Sequence, residues 1–294
     1  MRTPWRVRCL VAIVGTLLLG AGPAFAATGT LWQSDFTNAG FGNYKSTPWN
    51  DVGAAAPTLV TSTVYAPSQA ARFTVPAGGT RSEIEPNVAN FVEGDEYWFG
   101  DTFTLPSSFP TAESSWQVLT QWKNADTGSP PLEIKIGSGH VILDGGYGYP
   151  GGPAGSKYWT TTLGPAATVT PTNLVLHVKF SSNPSIGYVD AWLNGTQVLT
   201  GYHPVAGTLY PSSKKTKATA TQAKAQKAAL ARTPQPQGTP KEPAASTDTV
   251  VTASTTSSQF SYWKMGMYRD SAITSNAVYD LENARMGTSY SAVQ

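Results

Sequence analysis

The stretch Tyr262-Trp263-Lys264-Met265-Gly266-Met267-Tyr268-Arg269 spaces phenols and cations in a way that suits proton chemistry. Successive side chains of a strand point to opposite faces. Tyr262, Lys264, Gly266 and Tyr268 then share one face, and Trp263, Met265, Met267 and Arg269 the other. Two phenols and an ammonium, with a glycine leaving room between them, read as a cleft floor. A phenol beside cations gives up its proton more readily and can act as an acid or base. The same alternation also fits an aromatic cross-strand ladder.

Other strands repeat the pattern. In Arg81-Ser82-Glu83-Ile84-Glu85, Ile84 is expected in the core, with Arg81, Glu83 and Glu85 on the opposite face. In Trp116 to Lys123, alternation sends Trp116, Val118 and Trp122 inward and puts Gln117, Leu119, Gln121 and Lys123 on the other side. In Leu132 to Ile136, Glu133 and Lys135 face away from three aliphatic residues. Set beside Tyr262, Lys264 and Tyr268, these residues predict a sheet face rich in amides, phenols and charges. Tyr147 and Tyr149, with Tyr158 and Trp159, flank a Gly/Pro-rich loop over 145–156, and aromatic faces there suit sugar rings. His177 reads as an outer-face residue, His140 as a turn residue and reserve base, and His203 as a loop residue. No two histidines stand at zinc-ligand spacing.

The elements that must position these groups are short strands. From Leu31 onward, alternating segments over 57–65, 70–75, 81–85, 95–105, 115–123, 132–137, 140–144, 173–181, 187–194, 261–269 and 277–286 are separated by Gly, Pro, Asn and Asp clusters. Asn194-Gly195 is a hairpin signal. Strands at this spacing predict an all-β fold, a two-sheet jelly roll or concanavalin-like sandwich with a concave substrate cleft. The 13% charged content and 11% aromatic content agree with a β-rich extracellular domain.

Residues 1–26 read as a secretory signal: Arg2, Arg6 and Arg8, an apolar run from Cys9 to Gly22, then Ala24-Phe25-Ala26. The apolar run is too short for a membrane span. Cys9 is the single cysteine, so the mature chain from Ala27 has no thiol chemistry. Residues 27–294 are expected to form one domain interrupted by a Lys/Ala/Thr/Pro/Gln-rich tract over 212–258, with a short helix possible near 219–232. That tract carries seven basic and two acidic residues, and the signal carries three arginines, out of 20 basic and 18 acidic overall. The remainder therefore holds ten basic against sixteen acidic groups. An acidic body argues against nucleic acid and against a densely sulfated polyanion as partner.

The ordered blocks resemble one family. Arg81-Ser82-Glu83-Ile84, Glu96-Tyr97-Trp98-Phe99-Gly100-Asp101, Trp116-Gln117-Val118-Leu119-Thr120-Gln121-Trp122-Lys123, Ser129-Pro130-Pro131-Leu132, His177-Val178-Lys179-Phe180, Val189-Asp190-Ala191-Trp192-Leu193-Asn194-Gly195 and Trp263 to Arg269 are similar to secreted polysaccharide lyases of the heparin lyase I group, from about Asp35 to Gly287. Glucuronan and alginate lyases are fold relatives of that group. The resemblance implies a jelly roll that cleaves an anionic, uronate-containing polysaccharide by β-elimination, with no cofactor. It implies that Arg81 and Gln121 neutralise the uronate, Tyr268 acts as acid or base, and Lys264 orients the sugar. Such lyases commonly carry histidine two residues after the glutamine; this chain has Lys123, which would share the catalytic work. Substrate contacts are expected from Tyr262, Gln117, Glu83, Glu133, Lys135, Tyr147 and Tyr149. A secreted monomer is expected, with no required metal, although Asp/Asn loops are compatible with a structural Ca²⁺. Two alternatives stay open: a carbohydrate-binding protein on the same face, and a glycoside hydrolase, for which Glu83 and Glu85 lie on the same side of the substrate.

Overall fold

A computed structural model describes residues 29–47, 51–65, 68–124, 129–147, 157–209 and 260–294. The signal segment with Cys9, the 212–258 tract with its expected helix, and Tyr149 lie outside the described residues.

The described strands in chain order are β1 (Thr30–Ser34), β2 (Tyr44–Ser46), β3 (Thr58–Thr61), β4 (Gln69–Val75), β5 (Arg81–Pro86) and β6 (Phe91–Val92). They continue with β7 (Glu96–Thr104), β8 (Gln117–Asn124), β9 (Leu132–Gly137), β10 (His140–Tyr147) and β11 (Lys157–Pro165). The last five are β12 (Thr172–Lys179), β13 (Tyr188–Leu193), β14 (Thr196–Tyr202), β15 (Phe260–Arg269) and β16 (Ala277–Gly287). Apart from a 3-10 turn at Tyr290–Ala292, no helix occurs among the described residues. No helix there is long and apolar enough to cross a membrane.

The strands form two antiparallel sheets. One runs β14-β13-β12-β7-β16-β4-β3, with β1 on the far end of β16. The other runs β11-β10-β9-β8-β15-β5-β2, with β6 beside the start of β15. This is the all-β sandwich that the strand spacing predicts. Five strands were not legible from alternation: β1, β2, β6, β11 and β14. Each is very short, lies at or near a sheet edge, or is built largely from Thr, Gly and Lys. The Asn194-Gly195 hairpin is present between β13 and β14, and both residues adopt positive φ, at 51° and 79°.

The core lies between the sheets and is aromatic at its centre. Trp122 of β8 and Trp263 of β15 stack at 6.1 Å. Phe99 of β7 meets both edge-on, at 4.9 and 5.1 Å, and so joins the sheets. Leu132, Ile134 and Ile136 of β9, Val141 and Leu143 of β10, and Met265 and Met267 of β15 complete this wall. Each alternates with a residue turned away from the core, and those residues make the site.

Candidate active site on the outer face of the second sheet

Strand register sets the face out in rows. Residues paired across adjacent antiparallel strands point the same way. One row runs Arg81, Tyr268, Val118, Lys135 and Ile142 across β5, β15, β8, β9 and β10. The next runs Lys264, Gln121, Glu133 and Asp144 across β15, β8, β9 and β10. Tyr262 and Lys123 begin a third.

Glu83 is the hub where the rows meet. Its Oε1 accepts from Gln121 Nε2 at 2.5 Å and its Oε2 from Lys264 Nζ at 2.9 Å. Arg81 Nε lies 3.4 Å from Oε2. The Arg81 guanidinium sits over the Tyr268 ring, 3.8 Å from its centroid, and Trp116 packs edge-on against the same ring at 4.5 Å. Glu83, Gln121 and Lys264 are 2%, 1% and 3% exposed. They form a buried layer beneath the partly exposed Arg81, Tyr268, Tyr262 and Lys123. An ammonium and a carboxylate this deep are tolerable only as a pair, and the Gln121 amide uses up more of the carboxylate's acceptor capacity.

Gly266 makes the arrangement possible. It stands opposite Glu83 in register and has φ +127°. A Cβ there would come within 2.4 Å of the Ser82 carbonyl and 2.8 Å of Glu83 Cα. The reason for glycine is therefore close approach of β5 and a left-handed backbone, in addition to open space above the strand.

Electrostatics separate the phenols and acids. Burial, reinforced by the Glu85 and Glu83 carboxylates, raises the pKa of Tyr262, so this phenol stays protonated. Glu85 itself pairs with Lys45 at 2.8 Å. On β9, burial and the neighbouring Asp144 carboxylate push the Glu133 carboxyl well above the usual range. Lys135 pairs with Asp144. Lys123 donates to Asn124 Oδ1 at 2.9 Å.

One orientation differs from expectation. Gln117 pairs with Arg269, which faces the core side, and its Nε2 donates to the Pro110 carbonyl at 2.9 Å. It is fully buried and does not join Gln121. The cause is a bulge: Val118 pairs with Lys135 but Thr120 with Ile134, so Leu119 is an extra residue in β8. Leu119 and Thr120 both turn inward, Leu119 into the core and Thr120 Oγ1 to accept from Trp263 Nε1 at 2.8 Å. Trp116 and Val118, expected inward, are thereby sent to the site face. Tyr147 ends β10, and its side chain, like Tyr149, is outside the described residues. The expected 145–156 loop is partly strand: Gly145–Tyr147 belong to β10 and Tyr158 and Trp159 to β11, with Trp159 buried.

The histidines lie elsewhere. His140 Nδ1 meets the Ser138 carbonyl at 2.7 Å in the β9–β10 turn, and His203 Nδ1 meets that of Gly187 at 2.8 Å. His177, on the outer face of the first sheet, bridges Asp190 and Glu96 at 2.9 and 3.0 Å.

A family model described as polysaccharide lyase matches residues 27–218. The chain belongs to the polysaccharide lyase family. The match includes Arg81, Glu83, Gln121, Lys123 and Glu133 and stops before β15, which carries Lys264 and Tyr268. Among solved structures, an endo-β-1,4-glucuronan lyase from the fungus Trichoderma reesei is 15% identical with a TM-score of 0.61, covering 90% of this chain and 98% of that one. That likeness shows the shared jelly-roll fold. A cellulose-induced protein (13% identity, TM-score 0.48, 88% and 97% covered) and an alginate lyase (12%, 0.43, 79% and 83%) are more distant. No functionally curated protein matches the chain.

Proposed function

We propose that this lyase is exported and cleaves a uronate-containing polysaccharide by β-elimination on the outer face of the second sheet. The observation that carries the proposal is the Arg81 guanidinium held against the Tyr268 ring and beside the Glu83-anchored Gln121. Elimination needs a cation and donors on the uronate carboxylate, so that the C5 proton becomes acidic. Arg81 supplies the charge. Gln121 Nε2 spends one N–H on Glu83 and keeps a second. A base takes the C5 proton, the C4–O4 bond breaks as the C4=C5 bond forms, and an acid returns a proton to O4. Tyr268 is the group we assign to proton transfer. Lys123 stands across from Tyr262, beyond the Gln121 row from Tyr268, at the position where similar lyases carry histidine, and Tyr262, held protonated, donates a hydrogen bond to the sugar. Lys264 acts from below, by fixing Glu83, rather than on the sugar directly.

The test is the absorbance near 235 nm of an unsaturated uronate, followed on a panel of glucuronan, alginate, heparin and hyaluronan. Growth of that band, lost in Tyr268→Phe, supports the lyase. Reducing ends without the band indicate hydrolysis. Lys123 in place of histidine favours a second reading, a carbohydrate-binding protein; binding to the same panel with neither signal supports that one.

A further inference from the structure

The charges on the site face are not evenly spread, and the row through Gln121 shows it. Toward β5 and β15 the floor has Arg81, Lys264, Lys123 and Lys45 against Glu83 and Glu85, an excess of cations. Toward β10 the same row continues into Glu133 and Asp144, opposite each other on adjacent strands. Lys135 is the cation there, and its ammonium is already paired with Asp144 Oδ2. Asp144 Oδ1 is buried and receives no N–H or hydroxyl donor among the described residues. Burial and the facing Asp144 carboxylate raise the pKa of the Glu133 carboxyl well above the usual range, which favours its protonated form. Among the described residues this end of the floor therefore has no cation beyond the paired Lys135, and Glu133 and Asp144 turn carboxyl oxygens toward it.

We infer that the floor over β9 and β10 takes an uncharged, hydroxyl-bearing sugar next to the uronate, so that the preferred polymer alternates uronate with a neutral sugar rather than being a homopolyuronate. The inference rests on the proposed uronate site at Arg81 and Gln121. Glu133 lies one strand spacing from Gln121 and Asp144 two, about 5 and 10 Å, which is the advance of one to two sugar rings for a polymer laid across the strands. A hydroxyl can donate to the carboxyl pair. A second carboxylate would lose its water and meet only acids and an ammonium already in use.

The experiment compares hyaluronan, which alternates glucuronate with N-acetylglucosamine, with glucuronan, a homopolyuronate, by initial rate at 235 nm and by retardation in gels containing each polymer. We expect hyaluronan to be preferred by about tenfold or more, the scale of one unpaired desolvated group. Glu133→Gln, which mimics the protonated acid, should keep that preference, and Glu133→Lys should move it toward glucuronan by at least as much. Equal or greater rate and retardation with glucuronan would overturn the inference while leaving the lyase reading intact. Retardation by hyaluronan without the 235 nm band from either polymer would overturn the lyase reading while supporting the sugar preference. Retardation and cleavage by neither would overturn both.

Discussion

At the residue scale the site depends on one buried carboxylate. Glu83 balances Lys264 and orients Gln121 and Arg81, none of which would keep its position without a partner at this depth. Glu83→Gln leaves the Lys264 ammonium buried and unpaired, and should cost about 3–5 kcal/mol of stability, read by denaturant unfolding. Adding Lys264→Met to that variant should recover part of the loss; no recovery would mean that the two groups are not coupled. Tyr268→Phe keeps the ring beneath Arg81 and against Trp116. Its melting temperature should stay near that of the parent while turnover falls by about a hundredfold or more, the range for a lost acid–base group. Arg81, Glu83, Gln121 and Lys264 were legible as one face because each strand keeps strict alternation from its core neighbour, Ile84, Trp122 or Trp263. Gln117 was not, because its parity is reset by a residue that sequence spacing cannot flag as extra.

At the element scale, β15 is the strand on which the site is assembled. It pairs with β5 on one side and β8 on the other, and both irregularities of the face meet it. Two residues of β15, Gly266 and Met267, face the single Leu119 of β8, which lets Tyr268 and Lys264 hold different rows while sharing one face. Gly266→Ala forces a Cβ into the Ser82 carbonyl at positive φ. It should cost about 2–4 kcal/mol from overpacking and backbone strain together, seen as a lowered unfolding midpoint at unchanged slope. The bulge was invisible to pattern reading because Leu119 and Val118 are equally apolar. Only the partner strands decide which of them goes in.

At the scale of the whole molecule, one carboxyl sits where the sandwich has no solvent. Asp101 of β7 alternates with Phe99 and Phe103 toward the core, and burial raises its pKa to about 7. Its folded-state pKa lies above the ordinary 3.8, so the folded protein holds the proton more tightly than the unfolded chain. Stability from this group is therefore full below about pH 4, declines as pH rises toward 7, and is gone above it. At about 1.4 kcal/mol per unit, the loss is roughly 4 kcal/mol. Asp101→Asn should melt higher than the parent above pH 7, with the difference shrinking toward pH 4; a difference independent of pH would refute the assignment. The amino-acid order by itself determined the all-β class, the strands with clean two-residue periods, the Asn194-Gly195 hairpin and most of the chemistry on one face, because those follow from local alternation and turn geometry. Tertiary structure alone decided that Gln117 turns away, that Lys264 serves Glu83, that Glu133 faces Asp144, and that burial raises the Asp101 pKa. Each of these depends on which strand lies beside which and how deep the pair is buried, and neither quantity is written in the spacing along the chain.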